Sequence, residues 1–118
     1  MSTNFYQRPL GAKTFDEEKN HIGLSTADLF LFEAHVRRKL TTYKQWIAQL
    51  MKAGFEIVDE YNRTYTVAEF EEFVKIRKNA EEIAAYRNSP VVPAGNSLKD
   101  VRRYRDEDGH LFCNYQFS

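Results

Sequence analysis

Apolar and polar positions alternate along this chain with three different rhythms. From Leu29 onward, Leu29, Phe32, Val36, Leu40, Tyr43, Ile47 and Leu50 recur every three or four residues. That spacing puts one apolar stripe on a helix and predicts a helix over about 26–53. Ser25 or Thr26 would cap its start, and Gly54 would end it. A helix this long would run on the order of 40 Å at 1.5 Å per residue. A hinge at the β-branched pair Thr41-Thr42 is the alternative reading.

A second helical stripe, Phe70, Phe73, Ile76, Ala80 and Ile83, predicts a helix over about 67–87. Thr66 and Glu69 stand three apart at its start, as a capping box requires. Asn88-Ser89-Pro90 would stop it. Between the helices, Phe55 to Val58 reads as a short strand.

The third rhythm has period two. Val101 to Arg105, the turn Asp106-Glu107-Asp108-Gly109, and His110 to Phe117 predict a β-hairpin of strands at about 101–105 and 110–117. In its second strand Leu111, Cys113, Tyr115 and Phe117 share one apolar face, which should lie on the helices. Residues 1–24 show no sustained period and read as an irregular N-terminal arm, with one helical turn after Thr14. The expected architecture is therefore α+β: two main helices on a small antiparallel sheet, in a single domain over 25–118.

Composition narrows the class. The chain has 118 residues, of which 42% are hydrophobic. That is enough for one core and too apolar for a disordered chain of zero net charge. The lone Cys113 excludes an internal disulfide framework. Neither a secretory leader nor a run of about 20 apolar residues is visible, so a cytoplasmic location without membrane contact is expected. Lys plus Arg and Asp plus Glu both number 17. Such a balance removes the overall pull towards nucleic acid but leaves room for local patches.

Chemistry-bearing motifs are few. His110 and Cys113 stand three apart, and on a strand that spacing sends them to opposite faces. No second Cys and no His-x-x-x-His supports zinc. Asp106-Glu107-Asp108 lacks the downstream bidentate Glu of a calcium loop. In Asp59-Glu60-Tyr61-Asn62-Arg63, Tyr61 and Arg63 stand where oxygen ligands should be. Pro93 to Ser97 has one glycine and no following Lys, so it is no phosphate cradle. No metal, cofactor or catalytic set is expected.

Two basic groups remain. Arg102, Arg103 and Arg105 bracket Tyr104 on the first hairpin strand. Arg37, Lys44 and Lys52, with Arg38 and Lys39, would follow one face of the long helix. Phe112 and Trp46 fall off the expected core stripes, and join Arg102, Arg103, Tyr104 and Arg105 as candidate partner-binding residues. The sequence thus suggests a non-catalytic protein that binds another macromolecule, as an inhibitor, adaptor or assembly component. Its size and composition suit a phage or mobile-element protein. A protein partner is expected first, and a homodimer could form through a C-terminal edge strand. Two other classes remain open: a nucleic-acid binder using the arginine strand, and an enzyme whose site is assembled from distant residues such as His21, His35 and Asp59.

Overall fold

The computed structural model describes residues 2–27, 29–77 and 89–117. Within them lies an α+β fold: one seven-stranded mixed sheet and three helices. The strands are β1 (Thr3–Pro9), β2 (His21–Ser25), β3 (Phe30–Glu33), β4 (Phe55–Asp59), β5 (Thr64–Tyr65), β6 (Arg103–Arg105) and β7 (Leu111–Cys113). Their order is β5-β4-β1-β2-β3-β7-β6. All neighbours are antiparallel except β3 and β7. The helices are α1 (Glu17–Asn20), α2 (Tyr43–Leu50) and α3 (Val67–Ile76). None is long and apolar enough to cross a membrane.

The long helix over 26–53 does not form. Its first half is β3, followed by a 3-10 turn at Val36–Arg38 with Lys39 left-handed, and α2 begins only after Thr42. Leu29 to Phe32 is an unbroken apolar run, the mark of a strand covered on both faces. Phe30 and Phe32 join the core beneath α2 and α3, while Leu29 and Leu31 join a second cluster on the opposite face. The break falls at the Thr pair. Thr42 Oγ1 accepts from Gln45 N–H, and the Gln45 side chain accepts from Thr41 N–H at 2.8 Å.

The N-terminal segment is likewise no irregular arm. β1 lies between β2 and β4 inside the sheet, so the division after residue 24 cuts hydrogen-bonded strands apart. Phe5 is buried against Phe30, Tyr65, Phe70 and Phe73. The helical turn in this segment is α1, capped by Asp16 rather than Thr14.

The capping box Thr66/Glu69 is present, and Phe70 and Val74 turn into the core. Ile76 points outward instead, at 64% exposure. Ala80 and Ile83, and the helix expected up to residue 87, lie outside the described residues.

The hairpin forms as β6 and β7, with the two faces exchanged. Phe112 stacks between Phe32 (5.1 Å) and Tyr104 (5.3 Å) on the helical side. Leu111 and Cys113 meet Leu29, Leu31, Tyr115 and Phe117 on the other. Alternation pairs residues by parity but does not say which parity meets the helices. Here both faces of β7 are covered, so Leu111, Phe112 and Cys113 are all buried, while Tyr115 and Phe117 beyond the strand are half-buried.

At Gly23 in β2, strand β3 leaves no room for a side chain. A Cβ there would stand 2.3 Å from the Leu31 carbonyl oxygen and 2.6 Å from the Phe30 ring. Gly23→Ala must therefore displace β3, at a cost of about 1–3 kcal/mol. Urea unfolding would show this as a lower midpoint at unchanged slope, and an unmoved midpoint would refute the close approach.

Candidate functional site

The six candidate partner-binding residues separate into two groups. Trp46, Tyr104 and Phe112 have no exposed surface. Trp46 Nε1–H donates to the Glu33 carbonyl at 2.9 Å, and Tyr104 O–H donates to the Thr41 carbonyl. Burial, then Asp106 and Cys113, push the Tyr104 phenol far up. These three aromatics are core, and they are unavailable to a partner in this fold. They lie off stripes that assume a continuous helix over 26–53 and the opposite hairpin face, neither of which the fold has.

The arginines stay at the surface. Arg102 and Arg103 are exposed and Arg105 is half-buried. Arg102 lies over the Tyr115 ring, 4.7 Å from its centroid, and Arg103 Nε donates to the Tyr115 hydroxyl at 3.2 Å. Arg105 has a structural task, donating to the Ser89 carbonyl from Nε and Nη2. Its main chain joins Pro90 and Val92, at 2.8 Å each, along the outer side of β6. The final strand is therefore no open edge for a second copy: β7 is interior, and the outer side of β6 is partly occupied. The basic residues expected along the long helix are split as well, with Arg37, Arg38 and Lys39 on the exposed 3-10 turn and Lys44 on α2.

Of the distant residues suggested for an enzyme, His21 and His35 meet and Asp59 does not join them. Glu33 brings the two imidazoles together. His21 Nδ1 is 2.7 Å from Glu33 Oε1, and His35 Nε2 is 3.3 Å from Glu33 Oε2 and 2.8 Å from the His21 carbonyl. His21 Nε2 faces Asn4 Oδ1 at 2.8 Å. A carboxylate on Nδ1 is how a catalytic imidazole is oriented. In such a base, however, Nε2 faces the substrate, and here Asn4 holds it. The ring is 2% exposed. Cys113, paired with Glu33 in register, offers no activated nucleophile, because burial pushes its thiol up. This closed network suits a buried polar brace better than a proton-transfer site.

Glu33 stands alone in sequence, outside the chain's acidic runs. The signal was there: one carboxylate inside Leu29–Ala34, two residues before a histidine. A charge in an apolar strand needs a partner.

Asp59 organises a loop elsewhere. It accepts from Tyr61 N–H, Arg63 N–H and the Tyr65 hydroxyl at 2.8–2.9 Å. The Tyr65 phenol is pushed up by burial first and by Asp59 second. A cavity of about 520 Å³ opens there, bordered by Arg63, Arg77, Ser25 and Tyr61. The Arg77 guanidinium is already engaged, lying 3.6 Å over Phe73 and donating to Thr26 and Phe73 carbonyls. A smaller cavity of about 210 Å³, lined by Tyr6, Glu17, Glu18 and Phe117, touches His21.

No protein-family model, curated protein or solved structure gives a significant match to the chain.

Proposed function

We propose that the chain is a non-catalytic binding protein that grips an acidic segment of a partner protein through Arg102 and Arg103 beside Tyr115. The observation that carries this is the arrangement of two exposed arginines around one half-buried tyrosine. The ring and its hydroxyl hold both guanidiniums close to one orientation. That lowers the ordering cost of a contact, and guanidinium groups pair carboxylates with two parallel hydrogen bonds. The closed hydrogen bonding around His21 and the inactivated thiol of Cys113 favour binding over catalysis. An inhibitor, adaptor or assembly component would all use such a patch. Zero net charge favours a protein partner over nucleic acid.

The test is the double substitution Arg102→Glu with Arg103→Glu. Both side chains are exposed, so stability should change by no more than about 0.5 kcal/mol each. Affinity capture from the source cell, read by mass spectrometry, should lose its partner. Capture of the same partner at the same level would overturn the proposal. Binding of a single-stranded oligonucleotide that falls steeply with salt would move the patch to the nucleic-acid class.

A further inference from the structure

We propose that Asp106, Asp108 and His110, in the turn between β6 and β7, form a site for one divalent transition-metal ion of the zinc type. The turn is tightly built. Asp106 N–H donates to the His110 carbonyl, and Gly109 N–H donates to the Asp106 carbonyl, both at 3.0 Å. The Asp106 side chain is 1% exposed. Its Oδ1 accepts from Asp108 N–H and His110 N–H, and its Oδ2 accepts from Tyr43 N–H at the start of α2. Burial alone would raise this carboxyl. The neighbouring His110 imidazole, then hydrogen bonds from the Tyr43 and His110 backbones, outweigh it and hold the carboxyl below its ordinary value. The carboxylate is thus kept charged inside the fold.

The histidine is the unexplained part. His110 is 8% exposed, and its ring lies on the Tyr43 ring with centroids 3.9 Å apart and planes 14° from parallel. Stacking fixes the imidazole, yet its buried Nδ1 has no hydrogen-bond partner. Native structures rarely leave such an atom unpaired. It lies 3.6 Å from Asp106 Oδ1, beyond the ordinary length of an N–H···O bond. Two ligand atoms on one tetrahedral zinc, each bonded at roughly 2.1 Å, stand about 3.4 Å apart. The separation is thus longer than a direct hydrogen bond and close to that of two ligand atoms on one ion.

Asp108 completes the set, since ligand atoms from the three residues all fall within 4.8 Å of one another. Hydrogen bonds on a ligating carboxylate are the usual outer support of a metal site. Asp106 and Asp108 also border a cavity of about 130 Å³, with Thr42, Lys44 and Gln45. An imidazole nitrogen with two carboxylates selects a transition ion over calcium or magnesium, which prefer oxygen shells. In sequence, Asp106-Glu107-Asp108 stands as an acidic run and His110 is spaced to match Cys113. The fold places His110 with the acids instead.

The experiment titrates Zn²⁺ into the untagged full-length chain by calorimetry, alongside Asp108→Asn and His110→Gln. One ion per chain should bind, and Asp108→Asn should weaken it by about tenfold or more. His110→Gln should abolish binding. Two-bond ¹H–¹⁵N spectra of the wild-type chain should show the shift at His110 Nδ1, and calcium should not compete. Because Asp108 is exposed, its variant stays folded and decides the matter even if His110→Gln does not. Absence of saturable uptake, equal uptake by Asp108→Asn, or imidazole shifts at His21 or His35 instead would each overturn the proposal.

Discussion

Replacing Glu33 with alanine should destabilise the fold by about 2–5 kcal/mol, because each buried polar group left unpaired costs about 1–3 kcal/mol. Glu33 is 4% exposed, and its carboxylate takes His21 at Oε1 and His35 at Oε2. Alanine would strand the Nδ1 of His21 between strands β1 and β3, where that ring already packs on Tyr6 and Phe117. His35 would keep its bond to the His21 carbonyl, so its loss is smaller. Thermal unfolding should show a fall on the order of 10 °C or more. Glu33→Gln separates charge from shape. Glutamine can still accept at one terminus, but its amide nitrogen can only donate. If Gln costs nearly as much as Ala, the network depends on the negative charge. A melting temperature unmoved by either change would show that the three side chains are not coupled.

The same residues show how far the sequence was legible. The capping box Thr66/Glu69, strand β4 and the hairpin were readable because each rests on neighbours within a few positions. The failure at 26–53 arose because a strand, a 3-10 turn and a short helix happen to keep a common three-to-four spacing. Only Leu29 to Phe32, apolar at every position, carried the contrary signal. Strand β1 was hidden for a different reason. Its edges pair with β2 and β4 and its Phe5 packs on α3, partners that lie elsewhere in sequence, and its own composition mixes Asn, Gln and Arg with Phe and Tyr. The pairing of Glu33 with His21 depends on the register of β2 on β3, which local periodicity cannot contain. Asp106 and His110 stand four apart in one turn, and there the fold adds the burial of both side chains and the Tyr43 ring.

Trp46→Ala should cost about 3–5 kcal/mol, the range for truncating a large buried aromatic. The indole sits on α2 with no exposed surface, edge-on to His35 at 5.5 Å, and its N–H satisfies the Glu33 carbonyl. Alanine opens a cavity between helix and sheet and leaves that carbonyl unpaired, so two separate penalties add. Trp46→Phe keeps much of the volume and removes only the donor, and should cost about 1–3 kcal/mol. Denaturant unfolding of the three chains orders them. Trp46 was a candidate for partner contact, and the pair of variants decides between the roles. A core residue lowers stability in proportion to what is removed, and leaves partner capture intact wherever the chain is still folded. A contact residue would do the reverse, keeping the unfolding midpoint and losing the partner. Arg102→Glu with Arg103→Glu should show that second pattern, so the two sets of variants together test whether binding belongs to the arginines and folding to the tryptophan.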